Sequence, residues 1–313
     1  MRGLELARAY YEAWGEPMLR ERFPDLMGQI AVGLFGSGSE CFGYDDDISR
    51  DHDFEPGFML LLPGEDAVDR RAAFLLERAY AKLPRAFMGL ERGLMQPVGG
   101  PRHGVLRAAE WFNEKVGSPD GALTLTQWLR VPEYALAEAV NGELFFDGYG
   151  AVTAIRRRLS AWPEDVRKKK LAGHLLLMAQ SGQYNYARCL RHGESGAAQL
   201  AAGDFVRHAM SAVFLLNGVY QPYYKWAFKA LRALPRLSLL AELMEYLLTT
   251  DNDGNLARAK QEVMEGMAAD VIGELRRQEL TAADGGDLEK HAYSVNDAVD
   301  DAGLRNMHVL AAV

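Results

Sequence analysis

The 313 residues, 49% hydrophobic and 25% charged, are enough for one large domain or two ordinary ones with separate cores, and two is the expectation. Thirty-five Lys and Arg against 43 Asp and Glu leave a net charge of -8, which excludes wholesale coating of DNA or another polyanion but allows a local contact to one nucleic-acid end. The only two cysteines, Cys41 and Cys189, lie far apart with no CxxC, which argues against a disulfide framework or a zinc site and fits a reducing cytoplasm.

Apolar residues at helical spacing (Leu4, Ala7, Trp14, Met18) predict an N-terminal helix over 4–22, ended by Phe23-Pro24. This start has no apolar core of the kind a secretory signal carries, and the run Phe58 to Leu62 is too short to span a bilayer. A soluble, intracellular protein without membrane contact is expected. Ile30 to Phe35 reads as a buried strand ended by glycine. Asp51 to Leu62 reads as a second strand with a kink at Pro56-Gly57, 66–83 as a helix, and 102–109 as a further strand before an amphipathic stretch, Ala109 to Val116. Glu143 to Phe146 is a short strand closed by Asp147-Gly148. After Trp162-Pro163 the alternation disappears, and 164–191, 203–219, 237–249 and 254–278 carry the 3.6-residue period of packed helices. The fold class is therefore α+β: a mixed sheet with helices over 1–160, then an all-α bundle over 161–313.

Two features carry chemistry. Gly36-Ser37-Gly38-Ser39 directly follows the first strand, where small residues let backbone N–H groups approach an anion and the hydroxyls add donors. After a spacer of thirteen residues beyond Ser37 comes Asp51-His52-Asp53-Phe54, where the strand period of two puts both carboxylates on one face. Two carboxylates that close need a cation between them. Hard oxygen ligands beside a phosphate loop suit Mg²⁺.

This pattern of strand, Gly-Ser, spacer and acidic-x-acidic-apolar resembles the nucleotidyltransferase superfamily with the DNA polymerase β-like fold. The string from Gly36 to Phe54 is similar to an uncharacterised bacterial family of unknown-function domains within it, and the likeness continues through Gln183 to Arg188 and Asn217 to Trp226. The resemblance implies a nucleotidyltransferase-like sheet in the first domain and two Mg²⁺ ions held by Asp51 and Asp53. It also implies transfer of a nucleoside monophosphate, AMP from ATP, to an acceptor hydroxyl. Such enzymes add a third carboxylate from a neighbouring strand. Here that strand offers Arg107, and the nearest acids are Glu110, Glu143 and Asp147. A module that binds a nucleotide or small molecule without turnover is the alternative.

In the helical half, Lys225 is a candidate for the triphosphate, while Tyr184, Asn185, Arg188, Asn217, Tyr223 and Tyr224 are candidates for a cleft wall. The acidic balance favours a small molecule or a protein over RNA as acceptor, and a small molecule is expected ahead of a protein side chain or a tRNA end. Asp45-Asp46-Asp47 lacks the ligand ladder of a calcium loop and reads as surface, His52 as a core-facing residue, and Lys168-Lys169-Lys170 as a solvated helix face. Gly36-x-Gly38 falls short of a dinucleotide fingerprint, because no long helix opens after it. Oligomeric state is not legible.

Overall fold

The computed structural model describes residues 1–48, 55–92 and 102–313. The chain forms two compact units, residues 1–123 with 131–160, and residues 124–130 with 161–313.

The first unit opens with helices Gly3–Tyr10 (α1) and Glu16–Arg22 (α2), joined without a break by a π-turn over Tyr11–Gly15. Strand Ala31–Leu34 (β1) and strand Met59–Leu62 (β2) follow. All eight of their residues are buried, which is why they read as unbroken apolar runs and not as alternating ones. The second strand is thus shorter than the stretch from Asp51 expected from sequence. Residues 55–58 are not strand, and 49–54 lie outside the described residues. Helix Arg70–Ala81 (α3) is capped by Asp69, whose carboxylate accepts from the Ala72 N–H. A two-residue hairpin, Ala86–Phe87 (β3) and Leu90–Glu91 (β4), was not foreseen. Strand Gly104–Arg107 (β5) runs straight into helix Ala108–Val116 (α4). Helix Leu125–Arg130 (α5) belongs to the second unit. The first unit resumes with helix Glu133–Val140 (α6), strand Glu143–Asp147 (β6) and helix Ala151–Leu159 (α7).

The four longer strands form one mixed sheet in the order β5-β2-β1-β6. β1 is antiparallel to both β2 and β6, and β2 is parallel to β5. With Gly33 opposite Met59, Met59 opposite Gly104, and Leu34 opposite Glu143, one edge of the sheet collects four segments. They are the end of β1 and the starts of β2, β5 and β6. The core beneath holds Tyr10, Tyr11, Ile30, Val32, Phe58, Leu60, Leu62, Leu76 and Tyr80. Tyr80 closes the entry of β2, its hydroxyl accepting from the Phe58 N–H at 3.0 Å and donating to the Phe58 carbonyl at 2.8 Å.

Arg107, the residue found where a third acid was sought, is structural. Its Nη1 donates to the carbonyls of Pro63 at 2.6 Å and Val68 at 2.8 Å, fastening the turn after β2. Arg107→Met leaves both acceptors unpaired and is expected to cost about 2 kcal/mol, read as a lower urea midpoint. An unchanged midpoint would contradict this role.

The second unit is helical. Helix Glu164–Met178 (α8) continues through a π-helical stretch, Ala179–Tyr186, into helix Ala187–Arg191 (α9). Helices Ser195–Leu216 (α10), Tyr224–Arg232 (α11), Leu240–Thr249 (α12), Gly254–Arg277 (α13), Leu288–Asp297 (α14) and Ala302–Asn306 (α15) complete it. α8 packs against α10 and α14. Trp162 lies 5.8 Å from the Trp128 ring and 4.7 Å from that of Tyr220, which explains why α5 joins this unit. The lysine run corrects the sequence reading: Lys169 and Lys170 are buried, because α8 is enclosed by neighbours on more than one side. No described helix is long and apolar enough to cross a membrane.

Candidate active site

The first unit's site grows from the loop that leaves β1. Phe35 anchors it, with its ring 4.9 Å from Trp111, 6.1 Å from Phe112 and 4.8 Å from the Arg156 guanidinium. Gly36 (φ 114°) and Gly38 (φ 143°) then hold backbone that a side-chain-bearing residue rarely adopts. Such a kinked run of amides can turn several N–H groups toward one anion. Gly36 and Ser37 border a cavity of about 130 Å³ together with Arg102, Glu110, Trp111 and Lys115. At ~30 Å³ per water, this is the scale of a small ion or a few waters, not of a whole nucleotide.

Arg107 also lines the cavity, and the other two cations there are steadied by acids. Lys115 Nζ donates to Glu138 at 2.6 Å, and Arg102 Nη1 lies 3.7 Å from the Glu40 carboxylate. Glu40 is buried beneath the glycine loop, so close that a Cβ on Gly38 would stand 2.4 Å from its Oε1. Burial pushes the Glu40 carboxyl up, opposed by its backbone hydrogen bond and by the charges of Arg102 and His103. His103 Nδ1 in turn sits 3.3 Å from Glu55 Oε1, linking the segment before β5 to the one before β2. Thus Glu40, Glu55, Arg102 and His103, none singled out from sequence, gather at the same sheet edge as Gly36 and Ser37.

Among the expected site residues, Asp51 and Asp53, with His52 and Phe54, lie outside the described residues. Glu110, in the first turn of α4, borders the Ser37 cavity. Glu143 begins β6 at the same edge, but its carboxylate pairs with Arg8. Asp147 lies at the opposite end of β1, across from Ala31, and accepts from the N–H groups of Gly150 (2.9 Å) and Thr153 (2.8 Å) and from the Thr153 hydroxyl (2.7 Å). Ser39 turns the chain, its carbonyl accepting from Tyr44 N–H at 2.8 Å. Asp45 anchors α1, accepting from Gly3 N–H at 2.8 Å. Among the described residues no three His, Cys, Asp or Glu side chains stand where they could hold a metal ion.

The helical unit's candidates form two separate groups. Tyr184, Asn185 and Arg188 lie on the π-helical stretch and α9, with Arg188 donating to the Tyr184 hydroxyl at 2.5 Å. Tyr184 borders a groove of about 840 Å³ shared with Gln180, Gln183, Glu265, Asp287 and Tyr293. Asn217 is engaged in closing α10, its Nδ2 donating to Val213 O at 2.8 Å and its Oδ1 accepting from Arg236 N–H at 3.1 Å. Tyr223 and Tyr224 are exposed, with rings 4.4 Å apart, and Lys225 Nζ lies 4.9 Å from the Trp226 ring.

Over residues 128–227 the chain matches the family described as Domain of unknown function (DUF4037). The expected likeness to an uncharacterised domain family is met over those residues. A solved nucleotidyltransferase-like protein from Exiguobacterium sibiricum 255-15 is similar at 13% identity and a TM-score of 0.37, with 90% of each chain covered. That likeness is too loose to decide an activity. No curated protein matches the chain.

Proposed function

We propose that the protein is a magnesium-dependent nucleotidyltransferase that moves AMP from ATP to a hydroxyl of a small-molecule acceptor, in preference to a protein side chain or a tRNA end. The observation that carries this reading is the glycine loop itself. A strand delivers Gly36-Ser37-Gly38-Ser39, with positive φ at both glycines, to the sheet edge at which β2, the strand following Asp51-x-Asp53, begins. The donor chemistry fits magnesium: Asp51 and Asp53 supply hard oxygens, and Glu110 at the Ser37 cavity is the best-placed third carboxylate. Held by these carboxylates, the metal would supply Lewis-acid chemistry, lowering the pKa of the acceptor hydroxyl.

The remaining work falls to the chain. The loop amides and the Ser37 hydroxyl bind the phosphates, and Arg102 offsets their charge. The acceptor oxygen forms a bond to the α-phosphorus as the bond to the bridging oxygen of the β-phosphate breaks in line. Pyrophosphate leaves with that bonding pair, and the hydroxyl proton is released.

A non-catalytic nucleotide-binding module is favoured by one observation, the engagement of Glu143 and Asp147 elsewhere. The test separates the two. Wild type and Asp51→Ala/Asp53→Ala are incubated with each α-labelled nucleoside triphosphate, Mg²⁺ and a cell extract. Label transferred by wild type and reduced at least 100-fold in the variant is expected, the scale for loss of a group that stabilises transition-state charge. Binding of ATP without any transfer would leave only the module, and absence of aspartate-dependent binding would remove both.

A further inference from the structure

We propose that Asn141 is the positioning residue of the glycine loop, acting as a clamp that sets which loop amides face a bound phosphate; this rests on the nucleotide-binding reading above. The Asn141 side chain spans 105 residues of sequence to pair with both polar groups of one peptide residue. Gly36 N–H donates to Asn141 Oδ1 at 2.8 Å, and Asn141 Nδ2 donates to Gly36 O at 2.9 Å. The amide therefore mimics a strand partner at the point where β1 leaves the sheet. The next residue grips the far end of the loop, as Gly142 N–H donates to Cys41 O at 2.8 Å. Only glycine can sit there, since a Cβ would lie 2.2 Å from Leu34 O and 2.8 Å from Phe35 Cα.

Arg156 holds the clamp in turn. Its Nη2 donates to Val140 O at 2.8 Å and to Asn141 O, while the guanidinium faces the Phe35 ring at 4.8 Å. Strand end, turn and loop are thereby joined through one part-buried cation–π contact and four hydrogen bonds to the Asn141 residue and its neighbours.

The chemical consequence is specific. Because the Gly36 N–H is committed to Asn141, it is withdrawn from anion binding. The N–H groups of Ser37, Gly38 and Ser39 donate to no acceptor among the described residues, so they and the serine hydroxyls are the groups left for phosphate oxygens. Asn141 touches neither phosphate nor acceptor in this scheme. It fixes the φ of Gly36 and with it the direction of the following amides.

Asn141→Ala and the near-isosteric Asn141→Asp test this, with the dissociation constant for ATP plus Mg²⁺ read by calorimetry at 10 °C on variants shown to be folded at that temperature. Both variants are expected to bind at least 10-fold more weakly. Asp is expected to be the worse, because one carboxylate oxygen would face Gly36 O and add negative charge beside the anion loop. Arg156→Met should weaken binding in the same direction by a smaller factor. Variants that melt earlier yet bind ATP as wild type does would show a role in stability alone and overturn the clamp, while leaving the nucleotide reading intact. A wild type that does not bind ATP would overturn both. Should the Ala variant not fold, the Asp variant alone decides.

Discussion

Lys169→Ala is expected to destabilise the helical unit by about 4 kcal/mol, the largest single effect anticipated outside the candidate site. Lys169 is fully buried, and its Nζ donates to Asn296 Oδ1 at 2.6 Å, Met307 O at 2.7 Å and Arg305 O at 3.4 Å. Three neutral acceptors from α14 and the C-terminal segment thus meet the three N–H groups of one ammonium on α8. Burial holds the Lys169 amine below its ordinary value, the signature of a charge that only this cage keeps in place. Alanine removes the cation, orphans Asn296 Oδ1 and Met307 O while Arg305 O keeps the Asn296 Nδ2 donor at 3.2 Å, and leaves the volume of the lysine stem empty. Lys169→Met keeps the volume and should cost less, about 2 kcal/mol, since only the acceptors suffer. Urea unfolding of the two variants checks the order. An Ala variant within 1 kcal/mol of wild type would show that the cage contributes nothing.

That lysine also shows why part of the fold is not legible in the sequence. Lys168-Lys169-Lys170 has the composition of a solvated face, and nothing local separates it from one. What decides is that α8 is surrounded, with α10 and α14 packed along it, and this depends on residues more than 30 positions away. Ile30 to Phe35 and the strand around Glu143, by contrast, announce themselves through unbroken apolar runs bounded by glycine. Helices α8 to α10, α12 and α13 of the second unit are equally plain from their period, whereas α11, α14 and α15 fall outside the periodic segments. α5, α6 and α7 are short and were missed, and the assignment of 124–130 to the helical unit follows from Trp128 meeting Trp162, a contact no periodicity encodes.

The candidate site divides in the same way. Gly36 and Ser37 are legible because they open a run of four small residues directly after an apolar strand. Asn141 is not, because its partner is 105 residues upstream, and Asn141-Gly142 reads from sequence as an ordinary turn. Glu40 and Arg102 are similarly joined only by the pairing of β1, β2 and β5, which brings the loop after one strand to the segment before another. Glu143 and Asp147 looked equivalent as acids on one short strand. The register separates them, putting Glu143 opposite Leu34 and Asp147 opposite Ala31, at different ends of β1.

Acid is expected to weaken the helical unit through a part-buried histidine pair. His174 on α8 and His208 on α10 approach Nδ1 to Nδ1 at 3.0 Å. One nitrogen must donate and the other accept, so the bond needs at least one neutral ring, and burial disfavours a charge on either. Burial lowers the His174 pKa well below its ordinary value, helped by His208 and Lys170. Burial also brings His208 down to about 4, with Arg207 adding to the shift and Asp204 opposing it. The unfolded chain takes up these protons near pH 6.5, before the folded one can. Stability from the pair is therefore full above about pH 6.5 and is lost as pH falls toward about 4, where His208 protonates in the folded state. Allowing for the partial exposure of His208, the loss from that ring alone is about 2 kcal/mol. His208→Gln keeps a hydrogen-bonding amide beside His174 but cannot titrate. Between pH 7.5 and 4.5 its urea midpoint should fall less than that of wild type by this margin, whatever the carboxylates common to both proteins contribute. Parallel pH profiles for the two would show that the proton on His208 is not what the acid sensitivity measures.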